Sequence, residues 1–385
     1  MATILISGAI ANKPRNGGEA WVRLSWIRGF AKLGYDVHFV EEITSASLTN
    51  SDGTPASLEE SINLGCFRQV VEEFGLSSTA TLVCDEGKQT VGKSKDDMLA
   101  LADDARLLIN ISGNLRWPAM MRRIKRTAYL DIDPGFTQFW LDTGALKLPA
   151  HDHYFTIGHN IGDVSCSIPS GGLEWKHTRP PVVIEDWPVM IAEDCNRLTT
   201  IANWRGPFGP VEVGGARYGI KAHEFRKFME LPQHVRQTLE IALSIYPADA
   251  RDLEALLRHR WVITDPITAA STPGAFRKYI QESGGECSVA QGMYVDTNSG
   301  WFSDRTVRYL ASGKPALVQE TGFSKTMPSS EGLVPFTNME EAIAGAASIA
   351  GHYDSHACAA RRLAERYFDS TVVIEKLIDD IGGLS

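Results

Sequence analysis

The sequence lacks the features of several large protein classes. Its 38 Lys and Arg residues are outnumbered by 47 Asp and Glu residues, so the formal net charge is −9 and the basic excess of proteins that coat nucleic acid is missing. The six cysteines include no Cys-x-x-Cys pair and do not suggest a disulfide framework. No apolar run reaches the roughly 18–20 residues of a membrane span, and the N-terminal segment has no basic start of the signal-peptide type. We expect a cytoplasmic globular protein.

The glycine fingerprint of dinucleotide-binding dehydrogenases is also missing. After the first apolar run, at residues 2–7, the chain continues Gly-Ala-Ile-Ala-Asn, and the pair Gly17-Gly18 comes only after a further loop. A nicotinamide dehydrogenase in which Glu41 or Glu42 holds a ribose is therefore an alternative that the sequence disfavours.

The 34 glycines and the 43% hydrophobic content of the 385 residues suit a fold with many tight turns between strands and helices. Residues 20–33 have helical periodicity between two apolar runs, which predicts a strand, a helix and a parallel strand. A Pro- and Gly-rich stretch at 167–195 interrupts this alternation, and the same pattern starts again after it. We read 235–245 as a helix within this second half. Further buried strands are predicted at 36–40, 106–111, 128–132, 154–157 and 198–202.

The fold class predicted from this layout is α/β, with two Rossmann-like domains that face each other across a cleft. The first domain is predicted to span residues 1–188, and a returning helix at 368–385 is assigned to it as well. The second domain is predicted to span 189–367. Ligands of such sheets lie outside the carboxyl ends of the strands, so we expect the chemistry at those loops.

Two glycine-containing loops could bind an anion at the start of a helix. Gly17 and Gly18 precede the first predicted helix, and their backbone N–H groups could approach a phosphate. In the second half, Ser303 and Asp304 open a helix that is followed by a strand and then by the loop 320–323. Asp304 could instead cap its helix or hold sugar hydroxyls. The residues of that last loop are Glu320, Thr321, Gly322 and Phe323.

Cations and proton-transferring groups are predicted at other strand ends. Trp204 and Arg205 follow the strand at 198–202, and Lys221 comes shortly after them, so that these cations could neutralise a diphosphate. In the first half, Asp133 and His159 could remove a proton from an acceptor hydroxyl. The neighbouring residues that could line an acceptor pocket are Phe136, Trp140 and Asn160.

Two stretches resemble GT-B glycosyltransferases, nearer to the bacterial family 4-like sugar transferases than to plant-type enzymes. Residues 17–37 resemble the opening of that family, in which a glycine pair, a helix and a Leu-Gly-Tyr-Asp-Val segment follow one another. Residues 301–318 resemble its donor-site helix and the strand after Gly-x-Pro. The resemblance places Arg205 and Lys221 at the positions of the family's diphosphate-binding pair.

One departure from the family pattern concerns the carboxylate that holds the nucleotide ribose. The two glutamates that the family often has are replaced by Gly300 and Arg308. Asp304 or Glu320 could hold the ribose in place of these glutamates. Asp131 and Asp133 have the spacing of a metal motif, but they lie in the acceptor-binding half, so no metal site is expected.

The resemblance implies an enzyme, a glycosyltransferase of the hexosyltransferase type. It would move a sugar from a nucleoside-diphosphate sugar, expected to be UDP-linked, to a hydroxyl of a small-molecule acceptor rather than a nucleic acid, with neither a metal nor another cofactor. Arg205→Ala and Lys221→Ala are each expected to lower turnover by about 10²-fold or more. A nucleotide-sugar epimerase or hydrolase on the same fold, and a non-catalytic nucleotide-sugar binder, are the alternatives.

Overall fold

Two large sheets follow one another along the chain in the computed structural model. An eight-stranded sheet is built from the first half and a six-stranded sheet from the second half. The residues that the structure describes are 1–190, 192, 195–206 and 208–384. The strands are β1 (Thr3–Ser7), β2 (Asp36–Ile43), β3 (Ala80–Cys84), β4 (Gln89–Val91), β5 (Leu107–Ile111), β6 (Thr127–Asp131), β7 (His153–Thr156), β8 (Trp175–His177), β9 (Arg197–Asn203), β10 (Val211–Val213), β11 (Ala216–Tyr218), β12 (Thr238–Ser244), β13 (Val262–Thr264), β14 (Gly285–Ser288), β15 (Ala316–Gln319) and β16 (Leu333–Phe336). The α-helices are α1 (Gly17–Lys32), α2 (Ile62–Glu73), α3 (Lys95–Asp104), α4 (Pro118–Met121), α5 (Phe136–Asp142), α6 (Lys221–Phe225), α7 (Ala250–Arg258), α8 (Pro266–Ala270), α9 (Pro273–Gln281), α10 (Gly292–Asp296), α11 (Asp304–Ala311), α12 (Met339–Gly351), α13 (Tyr353–Tyr367) and α14 (Ser370–Asp380).

The first sheet has the strand order β4-β3-β2-β1-β5-β6-β7-β8. All neighbouring strands pair in parallel except β4, which is antiparallel to β3. Strands β5 and β6 are buried along their whole length, as expected for apolar runs that are covered on both faces. The helix predicted at 20–33 is α1, which begins three residues earlier because the side chain of Asn16 caps it by accepting from the backbone N–H of Glu19 at 3.1 Å.

The second sheet is entirely parallel and has the order β13-β12-β9-β14-β15-β16. The helix predicted at 235–245 is wrong, because this segment forms the strand β12 instead. Leu239, Ile241 and Leu243 are buried together with Ala242 between them. An apolar run that is buried on both faces has no period that separates a strand from a buried helix.

The C-terminal helix α14 packs on α1 of the first half. Val182 and Phe368 lie side by side where the chain passes from one half to the other, and the Val182 N–H donates to the Phe368 carbonyl at 2.7 Å. A Cβ at Gly29 of α1 would come within 2.6 Å of Ile374, so the two helices approach closely at this glycine. The domain limits predicted at 188 and 368 stay a prediction. No helix of the described segments is long and apolar enough to cross a lipid bilayer.

The two halves also touch where α1 meets the start of α9. The indole N–H of Trp21 donates to the carbonyl of Pro273 at 2.9 Å. Gly17 is buried at this contact, and a Cβ there would lie 2.1 Å from the carbonyl oxygen of Thr272. The glycine is therefore required here by the close approach of two backbones.

Gly17→Ala is expected to destabilise the protein by about 1–3 kcal/mol, because the added methyl group overlaps backbone atoms that cannot rotate away. Gly65→Ala is the matched control, since Gly65 lies in α2 with no atom within 4 Å of its would-be Cβ. This second change should stabilise the protein by about 0.5–1 kcal/mol. Urea unfolding of both variants measures the two effects, and a Gly17→Ala variant as stable as the wild type would contradict the packing argument.

Candidate functional site

A cavity of about 310 Å³ lies between the carboxyl ends of the two sheets. Its walls come from the starts of α1, α6 and α11, from the ends of β6 and β9, and from the loop between β14 and α11. Ligands of parallel α/β sheets bind at this edge. The polar and aromatic residues among those that line it are Asn16, Glu19, Trp26, Asp133, Asn203, Lys221, Phe276, Gln291, Tyr294, Trp301, Ser303, Asp304, Arg305 and Arg308.

Lys221 and Arg305 form the cationic part of this cleft. The ammonium of Lys221 donates to the carbonyl of Val289 at 2.5 Å. Loss of water around it, reinforced by the positive charge of Arg305, lowers the pKa of Lys221 to about 7. Arg305 itself is held by Glu286 at 2.7 Å and by the carbonyl of Ile201 at 2.8 Å. An anion in the cleft would restore the charge of Lys221 and raise its pKa.

Arg308 is a second guanidinium at the cleft, in the middle of α11. Its side chain is 1% exposed and forms an ion pair with Asp304 at 3.0 Å. Its guanidinium also lies 5.9 Å from the ring centre of Trp187. The Nε atom has no hydrogen-bond partner among the described residues. Burial lowers the pKa of Arg308, and a negatively charged ligand in the cleft would offset this effect by stabilising the charged guanidinium.

Asp131 ends β6 just below the cleft and is fully used as a hydrogen-bond acceptor. Its carboxylate accepts from Thr137 at 2.8 Å, from Gln138 at 2.9 Å and from Thr156 at 2.7 Å. Burial raises its pKa. Since its oxygens are taken by these donors, Asp131 acts as the support of the loop that carries Asp133. Of the residues that the structure describes, no three His, Cys, Asp or Glu side chains cluster in a way that could hold a metal ion.

Asp133 is the carboxylate that reaches the cavity. The phenol of Tyr294 lies 3.4 Å from it, and the ring of Tyr294 is stacked on Trp301 with 4.3 Å between the ring centres. Loss of water and the negative charges of Asp131 and Glu19 raise the pKa of Asp133 to about 7. A carboxylate of this kind can take up or release a proton at neutral pH.

The donor-site residues predicted at 320–323 lie apart from the residues that line the cavity. Glu320 folds back on its own loop and accepts from the backbone N–H groups of Thr321 and Gly322 at 3.0 and 2.6 Å. Gly322 has a positive φ of 96°, and Phe323 is buried against Phe302 with ring centres 5.3 Å apart. This loop supports the 301–304 segment, since the Thr321 hydroxyl donates to the carbonyl of Trp301.

Trp204 and Arg205 are engaged with the neighbouring helix α7 and the turn before it. Trp204 is fully buried, and its indole N–H donates to Asp252 at 2.8 Å. Arg205 is half exposed and forms a two-bond ion pair with Asp249 at 2.7 and 2.5 Å. Residues 203 and 206 line the cavity on either side of this pair, but Trp204 and Arg205 do not. Arg205 must leave Asp249 before it can reach a ligand in the cleft.

The acceptor-side residues predicted by the sequence are dispersed. Phe136 is buried against Tyr294 and Phe208, and Trp140 packs on the same Phe208. Asn160 bridges the two halves by donating to the carbonyl of Gly322 at 3.1 Å.

His159 lies in a different cavity from Asp133. Its Nε2 is 3.0 Å from the carbonyl of Thr178. Burial lowers the pKa of His159 to about 3, and the charge of Arg179 adds to this effect. The structure therefore does not bring the two predicted proton-transferring groups together.

Of the predicted residues, the cleft brings together Gly18, Asp133, Lys221, Ser303 and Asp304. Sequence reasoning missed Glu19, Gln291, Tyr294 and Arg305. Glu19 directly follows the predicted Gly18, and Arg305 directly follows the predicted Asp304. Their position next to predicted site residues could have identified them.

Comparison with solved structures places this architecture in a known group, although the sequence alone does not. No protein-family model matches the chain, and no curated protein is similar to it. An α-glucosyltransferase in complex with UDP is similar in structure, with a TM-score of 0.60 and 13% identity over 99% of this chain and 100% of that chain. HepE from Anabaena, in complex with UDP and glucose, has a TM-score of 0.58 and 10% identity over 99% of both chains. AviGT4, a glycosyltransferase of avilamycin A biosynthesis, has a TM-score of 0.57 and 11% identity over 98% and 96%. The chain has the two-sheet α/β architecture of GT-B glycosyltransferases.

Proposed function

We propose that the protein is a glycosyltransferase that moves a sugar from a nucleoside-diphosphate sugar, UDP-linked, to a hydroxyl of a small-molecule acceptor without a metal ion. The observation that carries this proposal is the composition of the cleft. Lys221, Arg305 and Arg308 line the same cavity as Asp133 and Glu19. Such a cavity offers cations for a departing diphosphate and a carboxylate for an incoming hydroxyl.

The diphosphate is proposed to bind near Lys221. As the bond to the sugar breaks, negative charge accumulates on the leaving phosphate, and preorganised cations stabilise that charge more than they stabilise the ground state. Lys221 is suited to this because it has no carboxylate partner within ion-pair distance in the described structure. Arg205 stays part of the proposal as a cation that joins after it releases Asp249.

The sugar and the acceptor are proposed to lie between Asp304 and Asp133. Tyr294 and Trp301 form an aromatic wall beside Asp133, and a sugar ring packs well on such a surface. Asp133 would accept the proton of the attacking hydroxyl, because its pKa of about 7 leaves it largely ionised just above neutral pH. His159 lies in another cavity, so of the two predicted proton acceptors we assign this role to Asp133.

The similar structures support a UDP-linked donor. The α-glucosyltransferase and HepE were both solved with UDP, and HepE was also solved with UDP-glucose. The α-glucosyltransferase has also been solved together with UDP-glucose and DNA. Acceptor panels should therefore contain DNA beside small hydroxyl compounds, although the charge of −9 favours the small compounds.

A thermal-shift screen of UDP, GDP, TDP and ADP sugars tests the donor. We expect UDP sugars to raise the melting temperature most, since bound ligand stabilises the folded state.

Radiolabelled sugar transfer in the presence of EDTA then tests the reaction. A protein that no nucleotide sugar stabilises would refute the proposal, and a strict Mg²⁺ requirement would refute its metal independence. Conversion of the donor without any acceptor would indicate an epimerase or a hydrolase.

A further inference from the structure

A second and larger cavity, of about 630 Å³, lies at the outer edge of the first sheet. It is bounded by β8, by the end of α13, by α14 and by the 326 segment of the second half. The residues that line it are His159, Lys176, His177, Thr178, Arg179, Thr326, Arg366, Tyr367, Val372, Val373, Lys376 and Asp380. None of these residues lines the cleft between the sheets.

Positive charge dominates this second cavity. Four of its lining residues are Lys or Arg and one is a carboxylate, Asp380. Asp380 is already paired with Lys376 at 2.8 Å. No carboxylate of a described residue lies within ion-pair distance of Lys176, Arg179 or Arg366. Lys176 donates to the backbone carbonyl of Asp380, so the lining residues carry four cations and one carboxylate, and none of Lys176, Arg179 and Arg366 is ion-paired within the described residues.

Arg179 is the most constrained of these cations. Its guanidinium makes one hydrogen bond, to the carbonyl of Thr326 at 3.1 Å. It lies 5.6 Å from the ring centre of Tyr367, and Arg366 lies 5.4 Å from the same ring. Desolvation lowers the pKa of Arg179 to about 10. A half-buried guanidinium with most of its donors free of partners among the described residues can bind an anion with two parallel hydrogen bonds.

Two stacked imidazoles form the floor of this second cavity. The rings of His159 and His177 are 5.7 Å apart. Their Nε2 atoms lie 3.0 Å from the carbonyl of Thr178 and 2.9 Å from that of Ile161. Because a carbonyl only accepts, each Nε2 carries the hydrogen, and the rings are fixed in orientation. Each ring of the floor is thus held by a hydrogen bond to the backbone.

We propose that this second cavity binds a phosphorylated small molecule. The phosphate would lie against Lys176, Arg179 and Arg366, and the rest of the ligand would contact Tyr367 and the exposed Val372. A volume of about 630 Å³ falls within the range of roughly 300–1,000 Å³ for small-molecule pockets. Nucleic acid would need a long basic surface rather than a single pocket of this size.

The backbone that leaves the second cavity at Arg179 runs directly into the wall of the cleft. Arg179 is followed directly by Pro180 and Pro181, which line the cleft. Thr326, the hydrogen-bond partner of Arg179, belongs to the second half of the molecule. A ligand held by Arg179 would therefore contact both halves next to the place where the donor is proposed to bind.

Isothermal titration calorimetry at 150 mM salt tests this proposal with pyrophosphate, fructose 1,6-bisphosphate, uncharged fructose and a short DNA duplex as probes. We expect both phosphates to bind the full-length protein and fructose not to bind. The double variant Lys176→Gln/Arg366→Gln should bind them at least about tenfold more weakly, because it loses two of the three proposed charge-assisted contacts. Arg362→Gln is the matched control, since Arg362 is exposed on the same helix as Arg366 but does not line the cavity.

Lys221→Met separates this site from the cleft, because it removes the cleft cation and should leave the phosphate affinity of the second cavity unchanged. Several outcomes would overturn the proposal: no binding of either phosphate, equal binding by the double variant, or binding that only Lys221→Met abolishes. Binding of a DNA duplex alone, weakened by the double variant, would assign the cavity to nucleic acid instead. Should the double variant unfold, the single Arg366→Gln variant provides the same test, because the Arg366 side chain is exposed.

Discussion

The Lys221→Met variant is expected to transfer sugar at least about 100 times more slowly than the wild type, because it lacks the cation that meets the leaving diphosphate. Methionine keeps the length and most of the volume of the lysine stem, so the cleft wall stays filled. Only the contact of the ammonium with the Val289 carbonyl is lost. Initial-rate measurements with saturating acceptor give kcat/KM for both proteins.

The control for this variant is Lys278→Met. Lys278 is 73% exposed, and its ion pair with Glu282 is a surface pair of 3.7 Å that contributes little to stability. Its transfer rate should equal that of the wild type. Arg205→Ala, which removes a cation that is engaged with Asp249, shows whether that arginine joins the diphosphate during turnover. Wild-type transfer by Lys221→Met would eliminate Lys221 as the diphosphate-binding residue.

The same lysine gives UDP binding a characteristic pH dependence. In the free protein the pKa of Lys221 is lowered to about 7, and a bound diphosphate raises it again. Above pH 7 each binding event must therefore take up a proton, and the Kd of UDP should rise by up to about tenfold per pH unit. Below pH 7 the lysine is already charged and its contribution is constant. In Lys221→Met this rise should be absent, and an unchanged slope would show that another group titrates.

Much of the fold follows from local sequence pattern. Strand β1, helix α1 and strand β2 were predictable because an apolar run, an amphipathic segment and a second apolar run follow one another with Asn and Gly at the junctions. Strand β12 was misread because its burial on both faces leaves no period of two. The elements between 45 and 104 were not predicted, and among them β4 has only three residues, too few to show a period.

The candidate site was predictable where a residue stands at the end of a strand or the start of a helix. Asp133 and Ser303 reach the cleft for this reason, since these positions meet at one edge of each sheet. His159 also follows a strand, but that strand, β7, is next to the sheet edge, and its loop opens toward the other cavity. Arg205 depends on a long-range ion pair with Asp249, which no local pattern reveals. Arg308 stands in mid-helix, where a charged residue is normally solvated.

The Asp133→Asn variant is expected to lose at least about 100-fold in kcat, because the amide has the shape of the carboxylate but cannot accept the proton of the acceptor. Binding of UDP should change little, since the proposed diphosphate contacts lie on the opposite side of the cleft. In the wild type, kcat/KM for the acceptor, measured with saturating donor so that Lys221 stays charged, should rise as the pH increases through about 7, where Asp133 loses its proton, and this rise should vanish in the variant.

Asp131→Asn is the matched control for Asp133→Asn, and it separates the role of the acceptor-facing carboxylate from that of its support. Asp131 accepts from three side-chain donors. The amide nitrogen of the Asp131→Asn variant cannot accept these hydrogen bonds and would face one of the donors, which should lower the melting temperature. Asp133 accepts one long contact from Tyr294, and its variant should melt close to the wild type. If Asp133→Asn instead transfers sugar at the wild-type rate and keeps the wild-type pH profile, the acceptor hydroxyl loses its proton to a different group, and the proposed role of Asp133 is wrong.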